Sequence, residues 1–101
     1  MELTAALKKG ERLLGLDLGE KTIGLALSDV MLTVATPLET LARKKFSLDA
    51  DALVAHIKKH IVGGLVIGLP LNMNGTEGPS AQSARAFARN FLAKHDLPIL
   101  F

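Results

Sequence analysis

Asp17 is the residue whose type and place most suggest chemistry. It lies inside Arg12-Leu13-Leu14-Gly15-Leu16-Asp17-Leu18, where Leu14, Leu16 and Leu18 alternate with Gly15, Asp17 and Gly19. That period of two marks a strand, and strands disfavour aspartate. The carboxylate is therefore either an end-of-strand turn residue or a functional group. Asp29, after the next apolar run, reads as a turn residue. Glu20 reads as a solvent charge in a hairpin.

A second group of candidates follows in Leu71-Asn72-Met73-Asn74-Gly75-Thr76-Glu77-Gly78. Side-chain amides and backbone N–H groups of such a stretch can contact phosphate. It also runs into a helix, whose first turn attracts anions. The plain alternative is an ordinary connection between a strand and a helix. Arg85 and Arg89 are four residues apart and can grip a phosphodiester backbone, although such pairs are usually a solvated face, as are Lys44 and Lys45. His56 and His60 have a spacing that can chelate a metal. No third ligand accompanies them, and a cation near a helix carboxyl end is favoured by the dipole, so they read as structural.

The elements that must position these groups follow from the pattern. Strands are expected over Arg12–Leu18 and Thr22–Ser28, joined by a tight turn at Gly19-Glu20-Lys21. If each strand keeps its large residues on one face, the other face carries Gly15, Asp17, Gly19, Gly24, Ala26 and Ser28. That face is nearly bare apart from one carboxylate, open either to a close-packed helix or to a phosphate backbone. A third strand is expected from Leu32 to Leu41, with Pro37 marking an edge or bulge. A helix should begin at Ser47 as its cap, with Asp49 and Asp51 in its first turn and Leu53, Val54, Ile57 and Ile61 on its apolar stripe, and should stop at Gly63-Gly64. Leu65–Leu69 is an apolar run without alternation, as in a strand covered on both faces. A second helix is expected from Ser80 to Lys94, turning Ala84, Phe87, Ala88, Phe91 and Leu92 inward, and a last strand opens at Leu97. The order βββ-α-β-α-β predicts an α/β domain with a mixed sheet, an antiparallel meander followed by parallel strands, and helices on its faces.

Composition bounds the function. The chain has 101 residues, 49% of them hydrophobic, with four Phe and no Trp or Tyr. This is one domain's length, with an essentially aliphatic core and too few rings for a base-stacking platform. There is no cysteine, which excludes disulfides, thiolate metal sites and cysteine nucleophiles. No apolar run approaches the ~18 residues of a membrane span, and the first nine residues lack signal-peptide order, so the reading is cytoplasmic. A net charge of +2 permits nucleic-acid binding without requiring it.

Gly15-Leu16-Asp17-Leu18-Gly19 with Thr22-Ile23-Gly24-Leu25-Ala26-Leu27-Ser28-Asp29, and Gly68-Leu69-Pro70-Leu71-Asn72-Met73-Asn74-Gly75-Thr76-Glu77-Gly78-Pro79, resemble the two signatures of the YqgF/RuvX family over residues 12–101. Asn74 stands where that family's pattern expects aspartate. The resemblance implies a ribonuclease H-like fold and a nuclease, a Holliday-junction resolvase or a processing enzyme for the 5′ end of pre-16S rRNA. It implies carboxylates holding Mg²⁺ or Mn²⁺, with Asp17 as catalytic residue and metal ligand. It implies a nucleic-acid partner, structured RNA or branched DNA, contacted by Gly19, Lys21, Asn72, Asn74, Gly75, Thr76 and Arg85. The family's other acids lie in an Asp-Glu-Arg segment after the fifth strand and near a C-terminal helix. The sequence ends at Phe101, so a partial domain, binding metal poorly and not cleaving by itself, is the expectation, as a monomer or weak homodimer. Two other readings compete. A non-catalytic module would dock on RNA or a ribosome-assembly partner. An actin-like or Hsp70-like half-domain would use Asp17-Leu18-Gly19 to cradle phosphate, but such folds need a far longer chain.

Overall fold

The computed structural model describes residues 10–28, 35–70 and 72–101. Strands β1 (Arg12–Leu18), β2 (Thr22–Ser28) and β3 (Ala35–Ala42) are followed by helix α1 (Phe46–Lys59), strand β4 (Val62–Ile67), helix α2 (Pro79–Lys94) and strand β5 (Ile99–Leu100). The element order expected from the sequence is the order found. Asp29, Leu71, the lead before Gly10 and positions 32–34 of the expected third strand lie outside the described residues.

The strands form one sheet in the order β3-β2-β1-β4-β5. β1 to β3 are an antiparallel meander, and β4 and β5 run parallel to β1. Register sorts the side chains by size. Leu16 faces Leu25 on one neighbour and Ile67 on the other, and Leu14 faces Leu27 and Leu65. Leu14, Leu16, Leu25, Leu65 and Ile67 make one buried cluster with Ala50, Leu53 and Ile57 of α1 and Ala84, Phe87, Ala88 and Phe91 of α2, and the half-buried Leu27 packs against it. Both described helices thus cover the same face of the sheet. Phe87 and Phe91 stack with centroids 6.5 Å apart, and Phe46 meets Phe87 edge-on at 5.2 Å. The core is therefore aliphatic from the sheet and from α1, with α2 adding the rings of Phe87 and Phe91.

Several boundaries differ from the pattern. Ser47 does not cap α1: the cap position is Lys45, with no side-chain cap hydrogen bond. The work falls to Asp49, buried, whose carboxylate accepts the backbone N–H of Lys44 at 3.0 and 3.3 Å. An acid in the first turn reaching back to an N–H ahead of the helix replaces a cap at the start. At the other end the chain turns not at Gly63-Gly64 but at Ile61, whose φ is +54°. Gly63 and Gly64 belong to β4, where they are buried. Ile61 leaves the apolar stripe and is 64% exposed, and Leu92 is 42% exposed at the outer side of α2. β3 carries an irregularity in its pairing to β2 between Leu25 and Ala26, beside the Pro37 that signalled it.

Two measurements test this architecture. A β-branched residue in the left-handed region is strained by roughly 1–2 kcal/mol, and Ile61 contributes little burial. Ile61→Gly should raise the denaturation midpoint, with a gain of about 1 kcal/mol. Phe91, fully buried, sits where both helices meet the sheet. Phe91→Ala should cost about 3–5 kcal/mol in equilibrium unfolding, and a loss below 1 kcal/mol would contradict this core.

Candidate nucleic-acid interface

The size sorting leaves Gly15, Asp17, Gly24, Ala26, Val66 and Gly68 on the opposite face. Together with Pro37, Leu38 and Thr40 they line an open groove of about 600 Å³. Asp17 is exposed there rather than buried. Its cross-strand partner is Gly24, where a methyl group would stand 3.5 Å from the Cβ of Asp17. Among the described residues no helix packs on this face. The glycines leave the carboxylate reachable.

β1, β4 and β5 are parallel, so their carboxyl ends lie on one edge of the sheet, and three connections gather there. The first is the β1–β2 turn, closed by a hydrogen bond from Gly19 N–H to Thr22 O at 2.8 Å. A Cβ at Gly19 would come 3.2 Å from that same oxygen, which is why this position is glycine. Lys21 and Glu20 are exposed in the turn.

The second is the loop between β4 and α2, tied down where Gly68 N–H donates to Leu16 O at 3.0 Å. The loop braces itself. Asn72 N–H donates to Thr76 O, and Gly75 N–H to Asn72 O. Asn74 Oδ1 accepts from Thr76 N–H at 3.1 Å and from the Thr76 hydroxyl at 2.6 Å, and Asn72 Nδ2 donates to Thr76 Oγ1 at 3.1 Å. Gly75 has φ +83°, a left-handed position that suits glycine. Asn74 acts as an acceptor, a task aspartate performs equally, which accounts for its place where the family pattern carries an acid. All of Asn72, Asn74, Gly75 and Thr76 are exposed.

The third is the end of β5. Arg85 on α2 lies over the ring of Phe101, its Cζ 4.7 Å from the centroid. Its Nε and Nη2 each donate to an oxygen of Glu77 at 2.7 Å. This ion pair holds the Glu77 carboxyl below its ordinary pKa and raises that of Arg85, through the hydrogen bonds first.

A residue that sequence reasoning passed over also reaches this edge. Arg43 donates from Nη1 to Gly19 O at 2.7 Å and from its backbone N–H to Lys21 O at 2.8 Å, and its guanidinium lies 5.8 Å from the centroid of Phe87. With Gly19, Glu20, Ser80 and Ser83 it lines a cleft of about 220 Å³ between the hairpin turn and the first turn of α2. The meander is the signal that finds it: Ala42 pairs with Thr22, so the next residue must lie beside the β1–β2 turn.

Other candidates are elsewhere. His56 and His60 stack with centroids 5.8 Å apart, and His56 Nε2 is taken by Glu39 Oε2 at 2.6 Å. His60 is held below its ordinary pKa by desolvation and then by Lys59, His56 and Arg12. Neither ring converges on the groove. Lys44 engages Asp49 only through its backbone. Among the described residues no three His, Cys, Asp or Glu side chains come close enough to hold a metal ion. One carboxylate is a poor resident site for Mg²⁺, so these residues alone do not fit it. No described helix is long and apolar enough to cross a membrane.

The chain has relatives among known proteins. A protein from Paramagnetospirillum magneticum named "Putative pre-16S rRNA nuclease" is 57% identical over 99% of this chain and 64% of its own length. One of the same name from Ruegeria pomeroyi is 56% identical over 99% of this chain and 65% of its own. The chain thus spans a little under two thirds of these relatives. Among solved structures, Thermus thermophilus RuvC in complex with a Holliday junction substrate superposes with a TM-score of 0.59 at 11% identity, over 88% of this chain and 62% of that one. A Bacteroides thetaiotaomicron protein with an actin-like ATPase fold and unknown function gives 0.50 at 8% identity, over 97% and 35%. These two likenesses speak for the fold alone, a ribonuclease H-like mixed sheet. The model of the RuvX family, described as Holliday junction resolvase, matches residues 11–101, and this chain, by that match and by its curated relatives, belongs to the RuvX (YqgF) family.

Proposed function

We propose that this chain supplies the first acidic position and part of the substrate surface of a metal-dependent phosphodiesterase that processes the 5′ end of pre-16S rRNA in the cytoplasm. The observation that carries the reading is the exposure of Asp17 on a glycine-lined groove at the carboxyl edge of the sheet, where ligands of open α/β sheets sit. RNA is preferred to branched DNA because the most similar curated relatives described above bear the rRNA nuclease name.

The roles divide by chemistry. Asp17 offers one carboxylate toward a divalent cation, Mg²⁺ or Mn²⁺. When bound, such an ion supplies an activated water and neutralises charge on the attacked phosphate. Among the described residues no second or third carboxylate joins Asp17 to complete such a site. Gly19 and Lys21 in the turn and Asn72, Asn74, Gly75 and Thr76 in the loop form the surface offered to the backbone. The ammonium of Lys21 attracts phosphate as a point charge. Asn74 Oδ1 and one Nδ2–H of Asn72 brace the loop, so both amides are held in place, and the loop offers a fixed shape, its outward backbone and the remaining amide N–H groups.

The reading is tested with this chain and with a chimera that joins it to the unmatched part of the Paramagnetospirillum magneticum relative. The substrate is a 5′-labelled RNA carrying the pre-16S precursor segment. Cleavage by the chimera in Mg²⁺ is expected, reduced at least about 100-fold by Asp17→Asn, a size typical of losing a group that acts in the transition state. Full activity of the Asp17→Asn chimera would overturn the assignment.

A further inference from the structure

Arg85 is the cation that the fold has prepared most completely. Its guanidinium carbon lies over the Phe101 ring, 4.7 Å from the centroid, and its Nε and Nη2 donate to two oxygens of one anion. A planar fork meeting a pair of oxygens is how arginine holds a carboxylate, and equally how it holds a phosphodiester. Glu77 therefore occupies the position that a backbone phosphate would take.

Two observations indicate that the pair is exchangeable. The loop containing Asn72 to Thr76 is closed by its own hydrogen bonds and does not depend on Glu77 for its shape. The two side chains are 40% and 33% exposed, and ion pairs in that setting are weak because water and salt compete with them. The stacking partner stays when the carboxylate leaves. Phe101 still flanks the guanidinium from below, so a phosphate replacing Glu77 would meet a cation that keeps one neighbour. The location agrees, since Phe101 follows β5 and so lies on the same sheet edge as the β1–β2 turn and the loop.

We propose that Arg85, seated on Phe101, is a phosphodiester-binding station of the nucleic-acid surface, and that Glu77 fills it in the free chain and is displaced by an incoming backbone phosphate. This rests on the reading that the chain binds nucleic acid. It adds which cation grips the backbone and what holds that cation beforehand.

The test is a double-mutant cycle on the full chain. Binding of a fluorescein-labelled RNA hairpin is followed by anisotropy at low ionic strength, with folding of each variant checked by circular dichroism. Glu77→Gln should tighten binding about threefold to fivefold by releasing the fork, as expected for a weak competing ion pair. Arg85→Gln should weaken binding by a similar factor. In the Arg85→Gln background the gain from Glu77→Gln should vanish. Glu77→Ala serves as the second variant and should behave alike.

An equal gain with and without Arg85 means only that a negative charge was removed, and it overturns the station. A loss on Arg85→Gln without a gain on Glu77→Gln overturns the displacement. Titration with inorganic phosphate, read on the Arg85 Nε–H NMR signal, separates the two sources of this anion. Saturable binding of free phosphate together with RNA affinity indifferent to Arg85→Gln overturns the assignment to a phosphodiester. Absence of RNA binding in the unaltered chain and all variants would sink the nucleic-acid reading itself, an outcome distinct from failure of the cycle.

Discussion

The strict alternation of large and small residues along β1 and β2 is the constraint on which the rest depends. Leu14, Leu16, Ile23 and Leu25 go to one side and are buried under two helices. Gly15, Asp17, Gly24 and Ala26 go to the other and line an open groove. A shift of one residue in either strand would exchange the two sets, placing the Asp17 carboxylate among aliphatic side chains, where an unpartnered charge is costly. Burial of the leucines and presentation of the acid are thus one event. The hydrophobic term that stabilises the sheet also decides on which side the carboxylate stands.

Parallel pairing does the second part of the positioning. Because β4 and β5 run alongside β1 in the same direction, their following segments emerge on the edge where the β1–β2 turn lies. The antiparallel return of β3 brings Arg43 to that turn as well. Residues as far apart in sequence as Asp17, Arg43, Thr76 and Phe101 meet at one edge without any of them being near another along the chain. The edge carries both signs: Lys21, Arg43 and Arg85 beside Asp17, Glu20 and Glu77. A surface of this kind depends on where the cations are aimed rather than on net charge, which for the whole chain is only +2.

Much of this was legible from residues alone, and the limits have physical causes. The limits of β1 and β2 and the exposed face of Asp17 followed from period two, the strongest local signal available. The stop of α1 was misplaced because glycine is the usual left-handed residue. Here Ile61 takes that conformation and the two glycines go into β4, where buried neighbours rather than local preference decide. Ser47 looked like a cap by type, but Asp49 does the capping from inside the helix, a long-range choice of partner invisible to a one-residue rule. Arg85 was recognised as a candidate, whereas its pairing with Glu77 and its seat on Phe101 required knowing that β5 ends beside α2. Arg43 was passed over for the same reason: its role depends on strand register, not on its neighbours in sequence.

The two faces of the sheet also differ in how they respond to change. On the helix side, Leu14, Leu53, Leu65 and Phe91 interlock in one cluster, and loss of volume there propagates to every layer. On the groove side, a methyl at Gly15 or Gly24 would meet only ordinary contacts, no closer than 3.5 Å. Packing among the described residues does not demand glycine at either position, and neither is in a left-handed conformation. What glycine does supply there is clearance above the strands beside Asp17. The face around Asp17 is kept low by Gly15, Gly24 and Ala26, while Val66, Pro37 and Leu38 form the taller apolar margin of the groove. That low face and the edge of mixed charge adjoin at Asp17, so the same register that buries the leucines also sets the carboxylate where the two meet.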